Sequence, residues 1–374
     1  MAIIDLSPRQ LRQLRLRSQR LEPRARLSDL PPHEVVRDVV AVQAQDAAAA
    51  ALSVWTRSAG LTAAKVELAR APQRLLVRTW LLRGTLHLLA SEDFGWLLPL
   101  LGPIFAAGGA RRRAQLGLDE ETCARGLDLL RQVLAGQLPM TRDLIVPRLA
   151  AKGLSLSGQT IPHLLGLAAS AGVICLGPDQ KNKPTYVLLN EWLPPEPRLP
   201  RPEALARLAR RYLEAYAPAA PADLAKWSGL RMPEVRAAWN AVAGELVEVT
   251  CEGRSLWLPR SRLAWLDDSP PAEPNVRLIP AFDTYLLGYQ SRDLAIPPQF
   301  ERRLNAGGGI LHPVALVDGL AVASWRLNRR GARLQLVVEP FEPLLPSVLP
   351  GLESEAADLG RFLNQPVELV VGTL

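Results

Sequence analysis

Leu246-Val247-Glu248-Val249-Thr250-Cys251-Glu252-Gly253-Arg254-Ser255-Leu256-Trp257-Leu258 is the stretch that decides the fold. Two apolar runs flank Glu252-Gly253, and a glycine-containing turn between such runs predicts a β-hairpin. Three helical patterns lead up to it. Glu203 to Tyr216 sets Leu205, Leu208, Ala209, Tyr212 and Leu213 at helical spacing. Ala222 to Gly229 is a shorter helix that stops at glycine, and Pro233 to Val242 is a third with proline in its first turn. Three helices followed by a hairpin is the order of a winged helix-turn-helix.

Proline-rich runs bound this unit on both sides. Leu193 to Pro202 and Asp267 to Asn275 can continue neither a helix nor a central strand, so they read as linkers. They divide the chain into 1–193, 203–266 and 275–374. The end of the first segment repeats the same order: helices over Glu121–Leu134, from an N-cap at Thr141, and over Gly158–Ala171, then apolar runs at 173–176 and 186–189 around the polar tip Gly177 to Pro184. The third segment has strand patterns at Val314–Val317, Ala321–Leu327 and Leu334–Val338, with turns at Asp318-Gly319 and Asn328-Arg329-Arg330-Gly331. The expected fold class is α+β, mostly α, built as three tandem winged helix-turn-helix units: an N-terminal helical region plus the first, then the second, then an elaborated third with β-hairpins.

Composition narrows the partners. Of 44 Lys and Arg only five are Lys, and the formal net charge is +7. Arginine-rich basic chains suit phosphate, although abundant Arg also follows from base composition of the coding DNA. There is no long uncharged apolar run and no apolar core in the Arg-rich start, so neither a membrane span nor a signal peptide is expected and the location is read as cytoplasmic. Three scattered cysteines and four histidines without ligand spacing predict no metal site and no disulfide framework. Phosphate loops, dinucleotide fingerprints and Gly-x-Ser-x-Gly elbows do not occur; Gly307-Gly308-Gly309 lacks a following Lys-Ser/Thr and reads as a turn. No cofactor is expected.

The chemistry concentrates in Gln43-Ala44-Gln45, inside the apolar run from Val39. Burying an unpaired amide costs about 1–3 kcal/mol, so two in three residues are either hydrogen-bonded structural groups or a working pair. A helix over 34–45 would put the amides about 200° apart, so a break near Ala44 is expected if both act together. A second patch, Arg83-Gly84-Thr85-Leu86-His87, would bring Arg83, Thr85 and His87 to one face by strand alternation. Arg111-Arg112-Arg113, Lys181 and Lys183 on the first tip, and Arg329 and Arg330 on the later turn are basic groups that either meet phosphate or face solvent.

Taken together, Val42-Gln43-Ala44-Gln45, Arg83-Gly84-Thr85-Leu86-His87, Trp227-Ser228-Gly229-Leu230 and Leu278-Ile279-Pro280-Ala281-Phe282-Asp283-Thr284-Tyr285-Leu286-Leu287-Gly288-Tyr289 resemble the AlkZ-like winged-helix DNA glycosylases. The resemblance runs over about residues 5–374. It implies three winged helices around a C-shaped channel for double-stranded DNA, and removal of alkylated bases, interstrand crosslinks included, by a monofunctional glycosylase. The catalytic motif it implies, Gln-x-Gln in this branch, falls on Gln43 and Gln45, which would orient a water. Arg83, Thr85 and His87 would support the site, and Asp283, Tyr285 and Tyr289 would line the channel. A purine alkylated at N7 or N3 is cationic and leaves as a neutral base, so positioning water matters more than acid catalysis. No dimerisation helix is evident, and a monomer is expected. The competing readings are a non-catalytic DNA-binding regulator and an RNA- or protein-binding module.

Overall fold

The computed structural model describes residues 4–23, 30–268, 272–305, 307, 309, 311–331 and 333–372. Parts of the Arg-rich start, Ser269-Pro270-Pro271 of the second linker, and Gly308 lie outside the described residues.

The middle unit follows its pattern closely. Its helices are Arg201–Tyr216, Pro221–Ser228 and Met232–Val242, and its hairpin is β8 (Leu246–Cys251) with β9 (Arg254–Pro259). Glycine is needed twice here: Gly229 closes the second helix at φ 79°, and Glu252-Gly253 turns with φ of 49° and 73°, the doubly positive pair of a tight hairpin. Tyr212, Tyr216 and Trp227 pack ring on ring at centroid distances of 4.8–5.4 Å in its core.

The proline runs do not coincide with the packing boundaries. The N-terminal strand β1 (Ile4–Asp5) pairs in parallel with β8, and helix Pro8–Ser18, held by a Ser7–Gln10 capping box, packs its Leu11 and Leu14 into the middle unit's core. A six-stranded sheet in the order β2-β4-β3-β6-β7-β5 joins the region around the amides to the first tip. Its strands are β2 (Val42–Gln43), β3 (Leu76–Trp80), β4 (Leu86–Ala90), β5 (Met140–Thr141), β6 (Ile174–Leu176) and β7 (Thr185–Leu188). Three helices precede β6: Glu120–Leu134, Arg142–Ala151 and Thr160–Ser170. Thr141 sits at the N-cap of the second, but its side chain makes no cap hydrogen bond.

The third segment forms a five-stranded sheet, β10 (Val276–Ile279), β11 (Val314–Val317), β12 (Leu320–Arg330), β13 (Arg333–Pro340) and β14 (Val367–Val371), with helix Leu349–Leu363 packed on β10 and β14. Arg329 and Arg330 belong to β12, which runs past the turn expected at 328–331; the ladder closes at Arg330 opposite Arg333.

One buried ion pair binds these parts. Arg57, just beyond helix Ala47–Trp55, places its fork on Asp283 at 2.7 and 2.6 Å, both residues fully enclosed. Gln19, Ser53 and Thr284 complete the network. Asp283 therefore does not line a channel, and neither does Tyr285, whose hydroxyl donates to Gly319 O within the core. Tyr289 is also buried; its hydroxyl donates to Tyr216 O and its ring lies under Arg15 at 3.7 Å. Removing one partner of such a pair strands a charge, so Asp283→Ala should cost about 3–5 kcal/mol. The check is the urea midpoint followed by circular dichroism; an unchanged midpoint would contradict this role.

Candidate active site

The helix carrying the run before the amides covers Pro32–Asp38 and ends well short of the break expected near Ala44. The chain turns at Val40, whose φ of 68° is rare for a β-branched residue. This turn is braced: Val40 N donates to Arg37 O, and Ala41 N and the Tyr216 hydroxyl both donate to Val39 O, at 2.8 and 3.0 Å. β2 then pairs antiparallel with β4, setting Gln43 opposite His87, and Ala44 N continues the pairing to Leu86 O at 2.7 Å. In extended chain, residues two apart share a face. The consequence expected of the break, two amides facing together, thus arises from a strand.

Gln43 Nε2 donates to Gln45 Oε1 at 2.8 Å, and Arg83 Nη2 donates to Gln43 Oε1 at 3.1 Å. A guanidinium carries only donors, so it forces the Gln43 carbonyl toward itself and the Gln43 NH₂ toward Gln45. Gln43 is buried and Gln45 is exposed, so the hydrogen-bond chain runs from the interior to the surface. Gln43 retains a second N–H and Gln45 Oε1 a second lone pair. At this junction a donor and an acceptor stand side by side, the Gln45 NH₂ group is a further donor, and neither amide titrates.

Arg83 does not share a strand face with Thr85 and His87, because residues 82–84 form a tight turn with Arg83 at φ 53°. That turn sends its guanidinium to Gln43 and, through Nη1, to Trp227 O at 2.9 Å in the middle unit. Thr85 Oγ1 closes the turn on Leu82 O. His87 is enclosed beside Gln43, and its Nδ1 lies 3.0 Å from Thr85 O; because a carbonyl only accepts, Nδ1 bears the proton. Burial first, and the Arg83 charge second, push this imidazole down to about 3, so it is neutral at physiological pH and contacts no phosphate as a cation.

Sequence reasoning missed Arg78. Its Nε and Nη2 hold Ala44 O at 2.8 Å and Gln45 O at 3.2 Å, and Nη1 lies 3.7 Å from Asp179. Asp179 belongs to the tip that carries Lys181 and Lys183, so that tip stands beside the amides. Lys181 is exposed, whereas Lys183 is paired with Asp143 at 2.6 Å. Asp46, directly after Gln45, caps the helix Ala47–Trp55 through Ala48 N and Ala49 N. Arg111 and Arg112 are exposed on helix Ala110–Gln115 and Arg113 is half-buried; Arg329 and Arg330 are exposed at the far end of β12.

The family model described as DNA glycosylase AlkZ-like matches residues 36–362. The chain belongs to this family. It is 30% identical over 367 residues to the interstrand DNA cross-link repair glycosylase of Streptomyces sahachiroi, covering 94% of this chain and 95% of that protein. The solved structure of Streptomyces sahachiroi DNA glycosylase AlkZ superposes with a TM-score of 0.81 at 27% identity, over 98% of this chain and all of that one. This AlkZ-like chain therefore shares its α+β fold with a solved DNA glycosylase. No helix among the described residues is long and apolar enough to cross a membrane.

His87 gives a pH signature. Its folded value lies below the ordinary 6.5, so the unfolded chain takes up a proton first as pH falls. The stability it contributes is full above about 6.5 and is lost on acidification toward about 3. The urea midpoint of the wild type should therefore fall faster between neutral pH and pH ~4.5 than that of His87→Asn. Parallel curves would show that His87 is not held neutral.

Proposed function

We propose that this AlkZ-like chain is a monofunctional DNA glycosylase that hydrolyses the N-glycosidic bond of purines alkylated at N7 or N3. The carrying observation is the chain Arg83→Gln43→Gln45. It sets a donor and an acceptor side by side, which supports the reading that the two amides hold one water. In the proposed step the C1′–N bond breaks with its electron pair passing to the cationic purine, which leaves neutral. The held water adds its oxygen to the oxocarbenium-like C1′ and releases a proton to solvent. The substrate's own positive charge supplies the leaving-group activation, and the protein contributes orientation.

The three helix-and-hairpin regions act, in this reading, as winged helices that form a channel around duplex DNA. Arg111, Arg112, Arg113, Lys181, Lys183, Arg329 and Arg330 would meet its phosphates. Lys183 would first have to leave Asp143. The name of the Streptomyces relative extends the proposed substrates to interstrand crosslinks. The chain would act as a monomer, without metal or cofactor, on DNA in the cytoplasm.

Free base release from duplex DNA containing 7-methylguanine tests the proposal. The wild type should release base from methylated and not from unmodified duplex. Gln43→Ala with Gln45→Ala should slow release at least 100-fold while duplex affinity changes little; release at the wild-type rate contradicts the mechanism. Arg83→Lys retains charge but loses the fork that spans Trp227 O and Gln43 Oε1. It should lower single-turnover release about 10-fold with the salt dependence of binding unchanged. A purely phosphate-binding Arg83 would instead leave release at saturating protein untouched.

A further inference from the structure

Gln45 is exposed and lies past the end of β2: Ala44 N makes the last bond of that pairing, and Asp46 caps the next helix. Neither strand nor helix therefore sets its backbone. Arg78 does. The Ala44 carbonyl belongs to the peptide unit before Gln45 and the Gln45 carbonyl to the unit after it, and one guanidinium holds both, at 2.8 and 3.2 Å. Constraining the two planes constrains the two soft dihedrals between them, and so the direction in which the Gln45 side chain leaves the backbone. Beyond that, the side chain is held by Gln43 Nε2.

Arg78 is buried, and the oxygens it holds are neutral, so its charge needs an answer from elsewhere. Among the described residues the one carboxylate within 4 Å is Asp179, at 3.7 Å from Nη1. Asp179 also faces Arg70, at the end of helix Ala63–Arg70, at 3.7 Å, and its buried Oδ1 accepts no hydrogen bond. The carboxylate thus serves two guanidiniums by charge and binds neither closely. Its place in the tip is built. Arg70 Nη1 donates to Gly177 O at 3.0 Å, Thr185 Oγ1 to Pro178 O at 2.7 Å and Gln180 Nε2 to Pro139 O at 3.1 Å, while Lys181 and Asn182 make the turn beyond with φ of 50° and 61°.

We propose that Arg78 is a positioning residue for the amide pair, and that Asp179 on the 177–184 tip keeps it in place; the inference rests on the glycosylase reading above. The tip then has two duties, to meet the DNA backbone through its lysine and to keep Gln45 aimed. An Arg78 without its counter-charge is drawn toward water and loosens its hold on the two carbonyls. Gln43 is set separately, by β2 and Arg83, so the loss falls on Gln45. A misplacement of about 1 Å is enough to matter for a group that orients a reactant.

Two variants test this. Arg78→Lys keeps the charge but cannot span two carbonyls, and Asp179→Asn keeps the shape of the tip residue and removes its charge. The first measurement is ¹⁵N relaxation of the glutamine side-chain amides, the Gln45 signal being assigned by its loss in Gln45→Ala. In both variants the Gln45 amide should lose order while the Gln43 amide keeps it. The second is single-turnover release from duplex containing 7-methylguanine at saturating protein. Release should slow about 10-fold in Arg78→Lys and about threefold in Asp179→Asn, with duplex affinity not weakened, and Arg78→Lys should add no further loss in a Gln45→Ala background. Should Arg78→Lys fail to fold, Asp179→Asn carries both readouts. Unchanged order at Gln45, equal loss at Gln43 and Gln45, wild-type release by the folded variants, or a full further loss beside Gln45→Ala overturns the proposal. A tip that served only to hold phosphate would lower affinity and leave release at saturating protein untouched. Should the wild type release no base, the glycosylase reading fails, and the relaxation measurement still decides whether Arg78 and Asp179 hold Gln45.

Discussion

The fully enclosed Arg57–Asp283 pair is the constraint on which the rest of the molecule depends. Two charges out of water are tolerated only when their geometry is good and their remaining groups are satisfied. Here the fork is bidentate, Ser53 and Tyr285 N complete the carboxylate, and Gln19, Thr284 and Ser53 O take the two terminal nitrogens of the guanidinium, while the buried Nε keeps no partner among the described residues. These partners come from the N-terminal helix, the helix after the amides and the third segment. The whole network closes only when all three are in place. Its position matters for chemistry because Asp46, the cap of helix Ala47–Trp55, directly follows Gln45. Fixing that helix fixes one end of the amide motif, and the Tyr216 hydroxyl on Val39 O fixes the other.

Within that frame the site is electrically simple. The imidazole beside Gln43 is neutral, one oxygen of the Asp46 carboxylate accepts from two backbone N–H groups, and Arg83 is committed to two carbonyl oxygens. In the proposed reaction the groups at the motif orient water and exchange no proton with it. Such a site suits a substrate that is already charged and a reaction whose difficulty lies in placing water. Arg83 also links the units, since one nitrogen holds the amide pair and another the carbonyl of Trp227 in the middle segment.

Local patterns were legible in the sequence wherever one rule dominated. The helices of the middle unit, the stop at Gly229 and the Glu252-Gly253 turn follow from spacing and glycine chemistry. The amide pair announced itself through the cost of burying polar groups. Long-range pairings were not legible. Nothing in Ile4-Asp5 signals that it extends the middle hairpin, and the helical spacing of Val36, Val39 and Val40 hides the left-handed turn at Val40, which tertiary contacts impose. Asp283, Tyr285 and Tyr289 were read as channel-lining groups. Polar side chains near a motif and polar side chains inside a core look alike until burial is known. Arg78 escaped notice because its partners are backbone carbonyls, which carry no sequence signature.

The central claim is that Gln43 and Gln45 jointly hold one water against the reacting sugar. The most direct measurement is a crystal structure of the protein bound to duplex DNA carrying a cationic azasugar in place of the damaged nucleotide. The account predicts a single ordered water within hydrogen-bonding distance of Gln43 Nε2, Gln45 Oε1 and the azasugar cation, with Arg83 still on Gln43 Oε1. Amides turned toward phosphate or base with no water between them and the sugar would contradict it.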